Sequence, residues 1–346
     1  MKIYKNILVV RTDRIGDVIL TSPSLKVLRR TYPEARITVL MRPFTKELLV
    51  DNPYIDEILL DDREHNPDGF FGFWRLVSLI REKNFDLAIN YHTKKRTNLL
   101  CFLAGISERI GYKDKKFGFL LTKQIKDERH LGLKHEAQYC LDLLQHIGVT
   151  DFDCELHVSV TREAKEWMDR VCVENKIDAD QTLIALHPGA SDPAKRWPVQ
   201  RFAELMEGLI ERFPKARFIL IGDRVCYQLV RDIVSDTKVP LINMAGVTTV
   251  GQLVALINHS VLLVSNDSGP VHIAAALNKP VVSLFTRNQP GINPERWKPL
   301  NENSRVVSVP LDEKPSFTKA REMDAEFLEV IQTEEVLAAV DSLFKL

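Results

Sequence analysis

The chain has 346 residues, enough for two domains that each bury a core of their own. Hydrophobic residues make up 45% and charged residues 27%, a balance that excludes disordered and fibrous classes. Lys plus Arg and Asp plus Glu both number 47, and zero net charge argues against a surface given over to nucleic acid, though not against a local basic patch.

The N-terminal apolar run, Ile7 to Val10, is too short for a signal peptide, and Arg11 and Asp13 follow at once. It predicts instead a strand over Asn6–Val10, followed by a helix over Thr21–Tyr32 and strands at Arg36–Met41 and Glu57–Leu60. Helical spacing resumes over Phe71–Lys83, and Asp86–Tyr91 returns to strand. The pattern weakens between Tyr91 and Lys134, then a helix is expected over Glu136–His146 and a connection over Gly148–Val158. A second series follows, with strands at Leu183–Leu186, Arg217–Ile221, Leu241–Met244, Val261–Val264 and Val281–Phe285. Its helices are expected at Pro198–Phe213, Val225–Val234, Val250–Asn258 and Val271–Leu277, with a last amphipathic helix at Glu334–Phe344. Short unbroken apolar strands alternating with helices predict an α/β protein with two doubly wound parallel sheets. No stretch approaches the roughly 18 apolar residues a membrane span needs. The five cysteines (Cys101, Cys140, Cys154, Cys172, Cys226) show no metal-ligand spacing and suit reduced core thiols in a cytoplasmic protein.

Ligands of such sheets bind where strands turn into helices at the carboxyl edge, so three turns stand out. The first, Arg11-Thr12-Asp13-Arg14-Ile15-Gly16-Asp17, is neither a dinucleotide fingerprint nor a P-loop. Asp17 suits an N-cap, or else a general base kept ionised by the positive end of the helix. The second, His187-Pro188-Gly189-Ala190-Ser191-Asp192-Pro193-Ala194-Lys195-Arg196-Trp197-Pro198, combines small residues through Ser191 with two cations. That combination suits a diphosphate; the plain alternative is a polar loop with solvated cations, the reading preferred for Arg196. The third, Asn266-Asp267-Ser268-Gly269-Pro270-Val271-His272, leads a buried strand straight into a helix whose first amides, near Ser268 and Gly269, suit an anion. Asp267 would repel phosphate and is better placed for sugar hydroxyls, while His272 sits in the first helical turn; both also fit structural roles.

A fourth feature is charge. From Lys94 to Lys134 there are 11 Lys or Arg against 4 Asp or Glu, beginning with Lys94-Lys95-Arg96. Such a run is either a solvated face or a dock for an anionic acceptor or anionic lipid headgroups.

The segments RTDRIGDVILTSP, HPGASDPAKRWP and NDSGPVHIAAALNKPVVSLF resemble, in order and separation, the hallmark blocks of the ADP-heptose:lipopolysaccharide heptosyltransferases, glycosyltransferase family nine. The resemblance covers nearly the whole chain. It implies a GT-B fold, two Rossmann-like domains facing each other across a cleft, with an acceptor domain at 1–155 and an ADP-sugar domain at 156–330. It also implies that a helix at 331–346 crosses back to the first domain. By the same resemblance, Asp17 is the catalytic base, Lys195 serves the donor diphosphate, Asp267 holds the heptose, and Ser268, Gly269 and His272 lie close to the diphosphate; Ser191, on the small-residue turn before Lys195, is a further candidate for the donor diphosphate and sugar. Asp223 and Met244 are candidates for the ribose and adenine, and Lys94, Lys95 and Arg96 for the acceptor.

The implied reaction is inverting transfer of a heptose from ADP-heptose to the anionic lipopolysaccharide core, without metal or cofactor. The enzyme would be cytoplasmic, with peripheral contact to the inner membrane and no nucleic-acid partner. The alternatives are another sugar-nucleotide transferase or an epimerase on the same fold, or a nucleotide-binding adaptor without catalysis.

Overall fold

The computed structural model describes residues 2–63, 69–113, 117–224, 226–237, 239–311 and 331–345. The chain divides into two compact units, Met1–His130 with Lys134–Ser159, and Leu131–Leu133 with Val160–Leu346.

The first unit runs β1 (Asn6–Val10), α1 (Ile15–Thr31), β2 (Arg36–Met41), β3 (Glu57–Leu60), α2 (Gly69–Glu82), β4 (Leu87–Asn90), α3 (Lys95–Leu103), β5 (Glu108–Tyr112), β6 (Lys123–Ile125) and α4 (Glu136–Gln145). Its six strands are parallel in the order β3-β2-β1-β4-β5-β6. Helix α1 starts six residues before the expected Thr21 and carries Pro23 in its interior. Proline lacks the amide that would bond the Ile19 carbonyl, and the Ser22 hydroxyl donates to that oxygen instead, at 2.6 Å. The elements missing from the sequence reading, α3, β5 and β6, have weak signals for physical reasons. Strand β5 reads Glu-Arg-Ile-Gly-Tyr, and Gly111 there lies so close to β4 that an added Cβ would sit 3.0 Å from the Asn90 carbonyl. Strand β6 is a three-residue edge strand with a lysine, which blunts its exposed edge.

The second unit runs α5 (Arg162–Glu174), β7 (Thr182–His187), α6 (Val199–Arg212), β8 (Ala216–Leu220), α7 (Cys226–Asp236), β9 (Leu241–Asn243), α8 (Val250–His259), β10 (Leu262–Asn266), α9 (Gly269–Ala276), β11 (Val281–Phe285), α10 (Pro294–Trp297), β12 (Ser304–Ser308) and α11 (Thr333–Phe344). Its strands are parallel too, in the order β12-β11-β10-β7-β8-β9. Helix α5, absent from the sequence reading, is capped by Thr161, whose hydroxyl accepts from the Ala164 amide at 3.2 Å.

The last helix, α11, packs on the core of the second unit. Val336 and Val340, one helical turn apart, are fully buried among Trp197, Phe202 and Leu205, a contribution of about 1.5–3 kcal/mol each. Leu337 lies over Gly208 of α6, where an added Cβ would stand 2.6 Å from its Cδ1, so a larger residue there would displace the leucine tip. Arg212 of α6 pairs with Asp341 at 2.8 Å, and Phe213 meets Phe344 edge-on at 5.1 Å. All five cysteines are free, but Cys154 and Cys172 are only half-buried and are not core thiols.

Candidate active site

In each sheet the strand order reverses once, between β1 and β4 in the first unit and between β7 and β10 in the second. The carboxyl ends flanking such a reversal form a natural ligand crevice. Both hold the sequence-predicted residues.

In the first unit, β1 runs directly into Arg11, which is 2% exposed. Its guanidinium reaches Asp13 Oδ1 at 3.1 Å, Asp17 Oδ1 at 2.8 Å and Glu136 Oε1 at 3.2 Å. It also donates to the Asp17 carbonyl at 3.1 Å. Arg129, whose guanidinium stacks 4.1 Å from the Tyr112 ring, lies 3.8 Å from the same Glu136 oxygen. Asp17 is not the N-cap of α1; Arg14 is, and Asp17 occupies the third helical position with 18% of its side chain exposed.

These surroundings decide the chemistry of Asp17. Burial raises its pKa most, Arg11 pulls it down, and Asp13 and Glu136 push it up again, leaving it at about 6. Sequence reasoning expected the helix terminus to keep the group ionised; desolvation and two neighbouring carboxylates outweigh that effect. A carboxylate with this pKa is still mostly ionised at neutral pH and is a stronger base than a solvent-exposed one. Beside it, the His92 imidazole is held to about 4, by burial first and then by Arg11 and Lys94, so it is neutral. Its Nδ1 lies 2.9 Å from the Thr12 hydroxyl.

In the second unit, β7 ends at His187 and β10 at Asn266. Asn266 braces the two turns that follow, accepting from the Trp197 amide at 3.0 Å and donating to the Pro188 carbonyl at 2.7 Å. The brace brings Lys195 and Asp267 together as an ion pair, with side-chain exposures of 20% and 7%. Asp192 accepts from the Ala194 amide at 3.1 Å and pairs with Arg287, which fixes the backbone on which Lys195 stands. Arg196 is half-buried and donates to the Ala190 carbonyl at 3.1 and 3.0 Å, so it braces the turn rather than standing solvated as expected.

Ser268 is the N-cap of α9 but does not cap the helix with its side chain. Its hydroxyl instead lies 3.0 Å from His187 Nδ1 and 3.2 Å from the Ser265 hydroxyl. His187 is held near 4 by burial and is uncharged. The end of α9 that starts at Gly269 is therefore not closed by the Ser268 side chain, an arrangement that suits an incoming anion.

Other sequence-predicted residues are placed less centrally. His272 is 3% exposed, its ring centroid 6.4 Å from that of Trp297, so the imidazole beside Ser268 is His187. Ser191 is exposed on the turn before Lys195. Asp223 is exposed and closes the start of α7, accepting from the Cys226 amide at 3.1 Å and from its thiol at 3.2 Å. Met244 is half-buried after β9, its amide bonded to the Leu220 carbonyl at 2.8 Å. In the first unit, Lys94 and Lys95 are exposed, but Arg96 donates to both oxygens of the fully buried Asp61. Burial pushes the Asp61 carboxyl up, but Arg96 and Arg63 overcome that and hold it below its ordinary pKa.

Arg11, Glu136, His92 and His187 were not assigned roles from the sequence. Only their positions at strand ends, or at the start of α4, signalled them. Two Asp-x-Asp pairs also occur. Asp151 and Asp153 are paired with Arg30, Asp153 also with Lys26, and Asp180 of the second pair is bonded to Lys215.

Residues 73–326 match the family model of glycosyltransferase family 9 (heptosyltransferase). The chain is 28% identical to lipopolysaccharide heptosyltransferase 2 of Escherichia coli K12 over 314 residues, 88% of each chain. A crystal structure of a family 9 glycosyl transferase from Veillonella parvula superposes with a TM-score of 0.85 at 26% identity, covering 99% of this chain and 98% of that one. E. coli ADP-heptose lps heptosyltransferase II shares the fold at a TM-score of 0.79 and 24% identity, with 98% of each chain covered.

Proposed function

The chain belongs to glycosyltransferase family 9 and is a glycosyltransferase of the heptosyltransferase type with the GT-B fold; from that premise we propose that it transfers a heptose from ADP-heptose to a hydroxyl of the lipopolysaccharide inner core, with inversion and without a metal. The observation that carries this reading is Asp17, a carboxylate with a pKa of about 6 at the strand reversal of the first sheet.

The donor is assigned to the second unit. Lys195 leaves Asp267 for the diphosphate, which also takes amides at the start of α9 near Ser268 and Gly269. Asp267, released from its cation, accepts hydrogen bonds from the heptose hydroxyls. His187 orients the Ser268 hydroxyl as a neutral group, adding no charge of its own. Asp223 and Met244, at the ends of β8 and β9, are assigned to the nucleoside.

The acceptor is assigned to the first unit. Its hydroxyl oxygen attacks the anomeric carbon as the bond from that carbon to the diphosphate oxygen breaks. Asp17 takes the hydroxyl proton, and ADP leaves with the bonding electron pair. Lys195 stabilises the charge that develops on the leaving diphosphate, the role a metal fills elsewhere. The reaction takes place on the cytoplasmic side. Among the described residues no helix is long and apolar enough to cross a membrane.

The test is ADP release from ADP-heptose with and without heptose-deficient lipopolysaccharide core. Acceptor-dependent release with the anomeric configuration inverted, unaffected by a chelator, is the expected result. Release that needs no acceptor, or transfer only from another sugar nucleotide, would overturn it.

A further inference from the structure

Arg287 lies two residues beyond the end of β11, and its side chain is only 9% exposed. The residues around it are held in place. The Thr286 hydroxyl donates to the Ala194 carbonyl at 3.0 Å, which fastens this strand end to the turn bearing Lys195. On the other side, the Asn288 amide group donates to the Val309 carbonyl at 3.0 Å. Strand β11 is the parallel neighbour of β10, and the Asp267 amide donates to the Leu284 carbonyl at 2.9 Å. Arg287 therefore stands at the carboxyl edge that also carries Asp267 and Lys195.

A buried guanidinium normally has its donors satisfied. Arg287 is paired with Asp192, yet its Nε is buried with no hydrogen-bond partner among the described residues. Such a group is always charged, and its fork of donors matches the oxygens of a phosphate.

The two ion pairs of this edge differ in how readily they exchange. The Asp267 side chain is 7% exposed, so removing Lys195 leaves a buried carboxylate that the sugar hydroxyls must satisfy. Asp192 is 37% exposed and keeps its bond from the Ala194 amide, so water can replace the guanidinium at little cost. Charge calls for the same exchange. Lys195 supplies one positive charge and the start of α9 about half of one, which falls short of a sugar diphosphate, whose phosphates each carry a negative charge.

We propose that Arg287 is the second cation of the donor site, leaving Asp192 to bind the diphosphate of the sugar nucleotide alongside Lys195. The inference rests on the proposed function, which assigns the diphosphate to this edge of the second unit. It adds a binding group that lies outside the turns after β7 and β10. It also gives Asp192 a second task, holding the guanidinium in place until the diphosphate arrives.

The test is calorimetric titration of the full chain with ADP, in wild type, Arg287→Gln, Asp192→Asn and the double variant, with Tm recorded for each. Arg287→Gln should weaken ADP binding about tenfold or more, the effect of losing a charge-assisted contact. Asp192→Asn retains an oxygen for the Ala194 amide but frees the guanidinium, so it should tighten ADP binding about two- to fivefold. In the Arg287→Gln background that gain should shrink, because no guanidinium remains to be freed. A residue that only braced the turn would make Asp192→Asn bind ADP no better than wild type, and that result would overturn the proposal. Wild-type affinity in Arg287→Gln would overturn it too, as would an undiminished gain in the double variant, which would reduce the effect to repulsion by Asp192. Should Arg287→Gln fail to fold, Asp192→Asn alone still decides between binding and bracing. Failure of the wild type to bind ADP would instead remove the donor assignment itself, and this proposal with it.

Discussion

Around the reversal of the first sheet, one buried guanidinium, Arg11, is shared among Asp13, Asp17 and Glu136. Around the reversal of the second, Lys195 faces Asp267 as one ion pair and Asp192 faces Arg287 as another, while the groups beside Ser268 are a hydroxyl and an uncharged imidazole. The same strand arrangement thus supports two electrostatic designs. Crowded, desolvated carboxylates raise proton affinity, which a base needs. A lysine whose one ion-pair partner can be displaced, set beside a helix start, suits an incoming anion.

The largest effect is expected where the first design is removed. Asp17→Ala should lower turnover by about two to four orders of magnitude, the range for losing a general base, while ADP binding measured by calorimetry persists. Near-normal turnover would take Asp17 out of the mechanism. Lys195→Ala should act on both binding and chemistry, weakening ADP binding and slowing turnover about 100-fold or more. It also leaves Asp267 buried without its cation, so Lys195→Ala with Asp267→Asn should bind ADP better than Lys195→Ala alone. Equal ADP affinity in wild type and Lys195→Ala would refute the phosphate role.

The comparison is sharpened by pH. The base must be ionised, so kcat/KM is expected to fall about tenfold per pH unit below about 6, the pKa of Asp17. Glu136→Gln removes a negative neighbour and should move this limb to lower pH, by less than a unit; a limb that stays in place would mean Glu136 has no influence on the base. Stability follows the same group with the opposite sense. A carboxylate whose folded pKa is raised favours the fold while protonated, and that contribution is lost as pH rises through about 6. Asp17→Asn should therefore raise Tm relative to wild type more at pH 8 than at pH 5.

Much of this design was legible in the sequence and part was not. Strands such as Asn6–Val10, Arg36–Met41 and Val281–Phe285 are short apolar runs buried on both faces, and their periodicity alone sets their bounds. Asp17, Lys195 and Asp267 stood out because the turns after β1, β7 and β10 carry unusual residues. Glu136 did not, because it lies 125 residues from Arg11 and only packing of the α4 start against the β1 turn joins them. His187 ended an ordinary apolar strand, and nothing local marked it as the partner of Ser268. The raised pKa of Asp17 is likewise a property of three-dimensional enclosure, whereas its helical position by itself pointed the other way. The last helix carried a clear amphipathic signal, but a periodic face does not say which core it enters; in the structure Val336 and Val340 enter the one formed by Trp197, Phe202 and Leu205.

The smallest expected effect concerns how the second site is held open. At Gly189 an added Cβ would fall 2.1 Å from Cys226 Sγ and 3.2 Å from His187 Nε2. Cys226 is 4% exposed and its thiol, pushed up to about 11 chiefly by burial, donates to Asp223. Gly189→Ala must therefore displace either the thiol or the imidazole that orients Ser268. Overpacking of this kind costs about 1–3 kcal/mol, and a shift of His187 should raise the KM for the donor as well. Cys226→Ala removes the sulfur from the contested space and on its own should cost about 1 kcal/mol or less. The double variant should then regain most of the Tm and donor KM lost by Gly189→Ala, because residues in contact do not behave additively. If the two losses simply add, the thiol is not what excludes a side chain at Gly189, and the constraint lies with His187 and the phosphate turn itself.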